Sequence, residues 1–161
     1  MLSYVLLISI VVAIAISIYS WLEIIANVEP IKECEESTSL IISDYACYEN
    51  IFKLTLKNSG RFNIDGFIFT VTDNPDRVPI TPLNALNDLS GNTIPGRYIF
   101  KQPLNPGDSA EALFDSSNTN FTLIRNVRIQ PFIILEYGDE IVCENAIIVQ
   151  STDNCEINTS L

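Results

Sequence analysis

Hydrophobic and polar positions fall into two regimes along this chain. Residues 1–22, MLSYVLLISIVVAIAISIYSWL, carry no charged side chain; the first charge is Glu23, and the next is Glu29 beside Pro30. A run of this length can cross a bilayer as a helix. It has no Gly, and no Pro before Pro30, so a continuous helix over 1–29 is expected, about 43 Å long at 1.5 Å per residue. Pro30 supplies the stop, because the residue before a proline avoids the helical region. The hydroxyls of Ser3, Ser9, Ser17 and Ser20 can be satisfied on the preceding turn. Ile and Val dominate the run; they are weak helix formers in water but tolerable where every face is buried in lipid or protein.

From residue 38 onward the period changes from helical to alternating. TSLIISDYA (38–46) reads as a short strand. In IFKLTLKN (51–58), Phe52, Leu54 and Leu56 face one way and Lys53, Thr55 and Lys57 the other, the alternation of a strand with one wet face. GFIFTVT (66–72), RYIFKQ (97–102) and AEALFD (110–115) are further strands. Residues 73–96 hold four of the eight prolines and no clear period, so an excursion with at most one helical turn is expected there. Asn105-Pro106-Gly107-Asp108 is a strong turn signal. FTLIRNVRIQPFIILEY (121–137) is long for one strand, and Pro131 marks a bend or an edge. Gly138-Asp139 suits a two-residue type II′ hairpin turn, with EIVCENAIIVQ (140–150) returning beside it. Seven or eight short strands separated by turns fit an antiparallel β-sandwich. The fold class expected is therefore α+β: a long hydrophobic N-terminal helix (1–30), then an all-β, immunoglobulin-like antiparallel sandwich (31–161).

Composition sharpens this division. The chain has 161 residues, with 9 Lys+Arg against 20 Asp+Glu, a formal net charge of −11. Its mean hydropathy is nonetheless +0.24, because the greasiness is confined to the first segment. All nine basic residues and 18 of the 20 acidic ones lie in 31–161, so that part carries 9 − 18 = −9. Dispersed basic residues on an acidic chain make a poor nucleic-acid binder. The absence of His removes His-based triads, His metal ligands and imidazole shuttles. No nucleophile–base pair, phosphate loop or carboxylate dyad emerges, so no catalytic residue, metal or cofactor is expected. Asp73-Asn74-Pro75-Asp76 and Asp139-Glu140 match no Ca²⁺ loop and read as solvated turns, and Glu33, Glu35 and Glu36 read as a charged collar.

Three roles compete for the apolar run: a membrane anchor, a secretory signal peptide, and an assembly helix that leaves the membrane to pack among its own copies. A signal peptide fits poorly, for want of a basic n-region and an A-x-A site. No Lys or Arg near the start offers an orientation signal, and the run begins at the first residue, as though a charged leader had been removed. The unbroken helix followed by the β domain resembles the archaeal type IV pilins and archaellins, and the stretches LTLKNSGRFNIDGFIF (54–69) and LNPGDSAEALF (104–114) look like those of immunoglobulin-like adhesion modules and archaeal filament heads alike. Many type IV pilins carry a glutamate near the helix start, where this chain has Val5. The resemblance implies an extracellular or cell-surface filament of identical subunits, membrane-inserted before assembly. Leu2, Val5, Leu6, Ile10, Ala13, Ile14, Ile18 and Trp21 would be the filament-core positions. It implies adhesion as the role, through a cell-surface or glycan ligand of unstated identity. The alternative is a membrane-anchored monomeric β-sandwich binding module.

Cys34, Cys47, Cys143 and Cys155 form an even set with no C-x-x-C and no His, which favours disulfides in an oxidising exterior over zinc. Local pairing conflicts with the strands between the partners, since extended chain would hold the Cα atoms far beyond the ~6 Å a disulfide needs. If the first and last strands run parallel, 34–143 and 47–155 result; if they are antiparallel neighbours, 34–155 and 47–143 do. Antiparallel pairs are the commoner kind, so Cys34–Cys155 and Cys47–Cys143 are expected. Asn120-Phe121-Thr122 and Asn158-Thr159-Ser160 are N-glycosylation candidates.

Overall fold

The computed structural model describes residues 2–26, 34, 36–87, 94–117, 119 and 122–156. The chain divides into two compact units, residues 1–32 and 33–161. The first holds helix α1, Leu2–Ala26. Ser9 and Ser17 donate their hydroxyls to the carbonyls of Val5 and Ala13, at 2.9 and 3.0 Å, the back-bonding expected of serines in an apolar helix. Pro30, the expected stop, lies outside the described residues.

The second unit is a sandwich of two antiparallel sheets. Its strands are β1 (Leu40–Tyr48), β2 (Ile51–Asn58), β3 (Ile64–Thr72), β4 (Thr81–Pro82), β5 (Asn84–Ala85), β6 (Arg97–Leu104), β7 (Ser109–Asp115), β8 (Leu123–Ile134), β9 (Glu140–Val142) and β10 (Ile148–Glu156). One sheet runs β1-β2-β7-β5; the other runs β10-β8-β3-β4, with β6 also on β3 and β9 also on β8. In chain order these sheets reproduce the ABED and GFC arrangement of the immunoglobulin sandwich, with β6 added beside β3. The alternation read in β2 holds: Phe52, Leu54 and Leu56 are buried. Aromatic rings from both sheets meet between them. Phe69 of β3 lies 4.3 Å from Phe114 of β7 and 5.3 Å from Phe52 of β2.

The excursion over 73–96 contains no helical turn among its described residues. It contributes β4 to one sheet and β5 to the other, with Leu83 buried where the chain crosses. Pro131 lies where β8 changes partner on its outer edge: β10 pairs as far as Ile129, and β9 takes over at Phe132. Its carbonyl accepts the Cys143 N–H at 2.9 Å. A proline offers no N–H on that edge, so it fits the one place where the ladder needs none.

The hairpin after β8 is not the two-residue II′ turn expected. The Gly138 N–H bonds the Leu135 carbonyl and the Leu135 N–H bonds the Asp139 carbonyl, both at 2.8 Å, with Gly138 at φ +86°. This is a three-residue loop, Glu136-Tyr137-Gly138, in which the glycine takes the left-handed position of a bulged turn. The Asn105–Asp108 turn forms as expected, with Gly107 at φ +88°. Asn58, fully buried, ties it to the neighbouring loop. Its amide donates to the carbonyls of Phe62 and Leu104 at 2.8 and 2.7 Å, and its side-chain oxygen accepts the Gly60 N–H at 2.9 Å. Its backbone carbonyl accepts the Gly107 N–H at 2.8 Å.

The expected disulfide pairing is overturned. Cys34 bonds Cys143 and Cys47 bonds Cys155, with Cα separations of 5.1 and 5.5 Å. The antiparallel preference belongs to hydrogen-bonded ladders, and β1 and β10 form none: they are outer strands of opposite sheets. The nearly constant sequence separations of 109 and 108 mean the two segments run the same way across the mouth of the sandwich. The Asp153 N–H reaches the Tyr45 hydroxyl there at 3.0 Å. Local pairing is absent, as strand geometry required.

Candidate functional site

The helix is apolar around its whole circumference. Its exposed large side chains range from Ile8 at 47% to Tyr4 at 72%, and Val5, Leu6, Ile10, Ile14, Ile18 and Trp21 fall inside that range. Ala13 is exposed too. Leu2 lies in the helix, with its side chain outside the described residues. Exposure does not separate the seven expected core positions with described side chains from Leu7, Val11, Val12, Ile16 or Tyr19. A helix hydrophobic on all sides calls for burial on all sides, in lipid or among other helices. Residues Ser3–Glu23 are long and apolar enough to span a membrane. The full helix of 25 residues measures about 37 Å against a hydrocarbon core of about 30 Å.

On the sandwich, the outer face of β2 and β7 is polar. Lys53 and Glu111 pair across it at 2.7 Å. The Glu111 carboxylate, through its hydrogen bond, raises the Lys53 ammonium above the ordinary lysine value. Both groups are open to water, so the pair adds little to stability.

The opposite outer face carries a small second cluster that the sequence reading missed. The Phe132 ring is fully buried on the outer side of β8 because Gly66 on β3 leaves room: a Cβ there would meet the Phe132 ring and the Tyr98 carbonyl, each at 2.3 Å. The Arg97 guanidinium lies 4.9 Å from the ring centroid and pairs with Glu140. Glu140, read from sequence as part of a solvated turn, is thus half-buried against a cation. The only clue was the arginine–aromatic–glutamate set on strands whose adjacency no sequence pattern states.

Further along that face is a slot of about 230 Å³, lined by Ile68, Thr70, Pro79, Ile80, Arg128 and Gln130. A shallower groove runs along β6 and β7 from Tyr98 to Glu111. Asp73 and Asp76 are exposed, in keeping with a solvated turn, and so is Glu36 of the collar. Glu33, Glu35, Asn120 and Asn158 lie outside the described residues. Among the described residues no three Cys, Asp or Glu side chains are placed to hold a metal ion.

No family model matches the chain, and no curated protein matches it. The layout of an N-terminal apolar helix followed by a β-rich domain is consistent with a pilin-like fold. The helix points to membrane insertion or a signal sequence, and the two disulfides point to an oxidising, extracellular location.

Proposed function

We propose that this protein is the structural subunit of an extracellular filament of the type IV pilus kind. It would polymerise through α1 and display the sandwich outside, with adhesion as its role. The observation that carries this reading is a 25-residue helix, apolar on every side, joined to a disulfide-closed, acidic β-sandwich. Such a helix satisfies its own backbone bonds and needs only apolar surroundings. Lipid supplies these before assembly, and the helices of identical subunits supply them afterwards. Repeating one contact by rotation and rise, without closure, generates a fibre. The net negative charge of the head keeps crowded heads soluble. Neither cofactor, nucleic acid nor catalysis enters this role.

The test is negative-stain microscopy of cells and of the purified chain. Thin unbranched filaments are expected. Detergent-soluble monomers without filaments would favour the membrane-anchored binding module instead. Ile10→Asp or Ile14→Asp should abolish filaments while leaving the head folded, because an unpaired carboxylate in an apolar core costs several kcal/mol. Normal filaments from either variant would refute the helix-core mechanism.

A further inference from the structure

Tyr137 is 90% exposed, more than any other large apolar or aromatic side chain among the described residues. It does not sit on a slack loop. It occupies the middle of the three-residue turn, closed by the two bonds between Leu135 and its partners Gly138 and Asp139. The strand beneath is pinned by the Asp65 carboxylate, which accepts the Ile134 N–H at 2.7 Å. The Arg97–Glu140 pair holds the other side of the hairpin. A large ring is therefore held out in water on rigid backbone, flanked by the exposed carboxylates of Glu136 and Asp139. Its ordering cost on binding is small, the property that makes tyrosine a frequent interface anchor.

The slot between β3 and β8 offers the converse surface. Ile68, Pro79 and Ile80 give it apolar walls, and Arg128 is the one charge in its lining. It too is preformed: the Thr70 hydroxyl donates to the Pro79 carbonyl at 2.9 Å, and the Asn126 amide to the Pro75 carbonyl at 2.8 Å. Asp73 and Asp76 of the same loop do not line it. About 230 Å³ accommodates one aromatic ring, and a guanidinium beside a ring adds cation–π attraction. Within one chain the tip cannot reach the slot. Four steps of extended strand lead from Gln130 to Ile134 before the turn begins, roughly 13 Å.

We propose that Tyr137 of one head inserts into the Ile68–Ile80–Arg128 slot of a second copy of this chain, with Glu136 placed toward Arg128. Tip and slot are different patches, so the contact is heterologous and does not close on itself. This rests on the filament reading: the helices supply the core of the fibre, and the tip-in-slot contact sets one spacing between its heads.

The experiment uses the full-length chain with the photoreactive amino acid p-benzoylphenylalanine at position 137, irradiated under assembly conditions. The expected result is an intermolecular crosslink to peptides containing residues 68–80 or 128–130. Arg128→Glu should raise the concentration needed for assembly about tenfold or more, the scale of losing an interface anchor. Adding Glu136→Arg to that variant should restore it, with thermal unfolding of the head unchanged throughout. Filaments whose crosslinks map elsewhere, or charge swaps without rescue, would overturn this contact and leave the proposed function standing. Absence of both filaments and crosslinks would overturn both.

Discussion

The two disulfides divide the head into covalent loops, and this fixes how far it can be stretched. Cys34 joins Cys143, and Cys47 joins Cys155, so tension entering at residue 34 and leaving at residue 155 has two short routes. One crosses the first bond and follows the 12 residues from 143 to 155; the other follows the 13 residues from 34 to 47 and crosses the second bond. Either route limits full extension to about 40–47 Å at 3.3–3.6 Å per residue. With both bonds gone the path is the 121 residues from 34 to 155, about 400–435 Å. Terminal pulling of the full chain in a detergent micelle, by optical tweezers or force microscopy, reads these lengths directly. Cys34→Ser with Cys143→Ser should retain the short extension, because the other bond suffices alone. Cys34→Ser with Cys155→Ser breaks both bonds and should release the full length. The alternative pairing, 34–155 with 47–143, would leave a path of about 25 residues in that last variant, near 85 Å. An increment of that size would refute the pairing and the load argument built on it. In the chain-entropy model the first crosslink stabilises by about 5 kcal/mol, and the second, closing an effective loop of about 25 residues, by about 3.5 kcal/mol.

Asn58→Ala strips the amide partner from the buried bond to the Leu104 carbonyl and the part-buried bond to the Phe62 carbonyl, while the Gly60 N–H keeps the Ser39 carbonyl, and should cost about 3 kcal/mol in urea unfolding; a loss below about 1 kcal/mol would mean water replaces the amide. Gly66→Ala drives a methyl into the Phe132 ring and the Tyr98 backbone, and should destabilise by about 2–3 kcal/mol, read as a drop in melting temperature. Phe69→Ala itself, at the meeting of the two sheets, should cost about 3–5 kcal/mol. Lys53→Ala should leave the melting temperature unchanged within error, because its pair with Glu111 is solvent-exposed.

The chain's own pattern determined the two regimes and most strand positions. A run of 22 residues without charge has few ways to be satisfied, and period-two alternation in IFKLTLKN dictates a buried face whatever surrounds it. The Asn105–Asp108 turn was legible because its residues supply the required backbone angles locally. The tertiary structure alone decided which strands became neighbours. β1 and β10 occupy opposite sheets, so a preference valid within ladders misassigned all four cysteines. The 73–96 excursion lacks period because its two short strands serve different sheets. The burial of Phe132 over Gly66, the role of Asn58 as a hub, and the slot between β3 and β8 all depend on residues far apart in sequence. Local chemistry fixes what a segment can form; contacts between distant strands, which carry no local signal, fix what it meets.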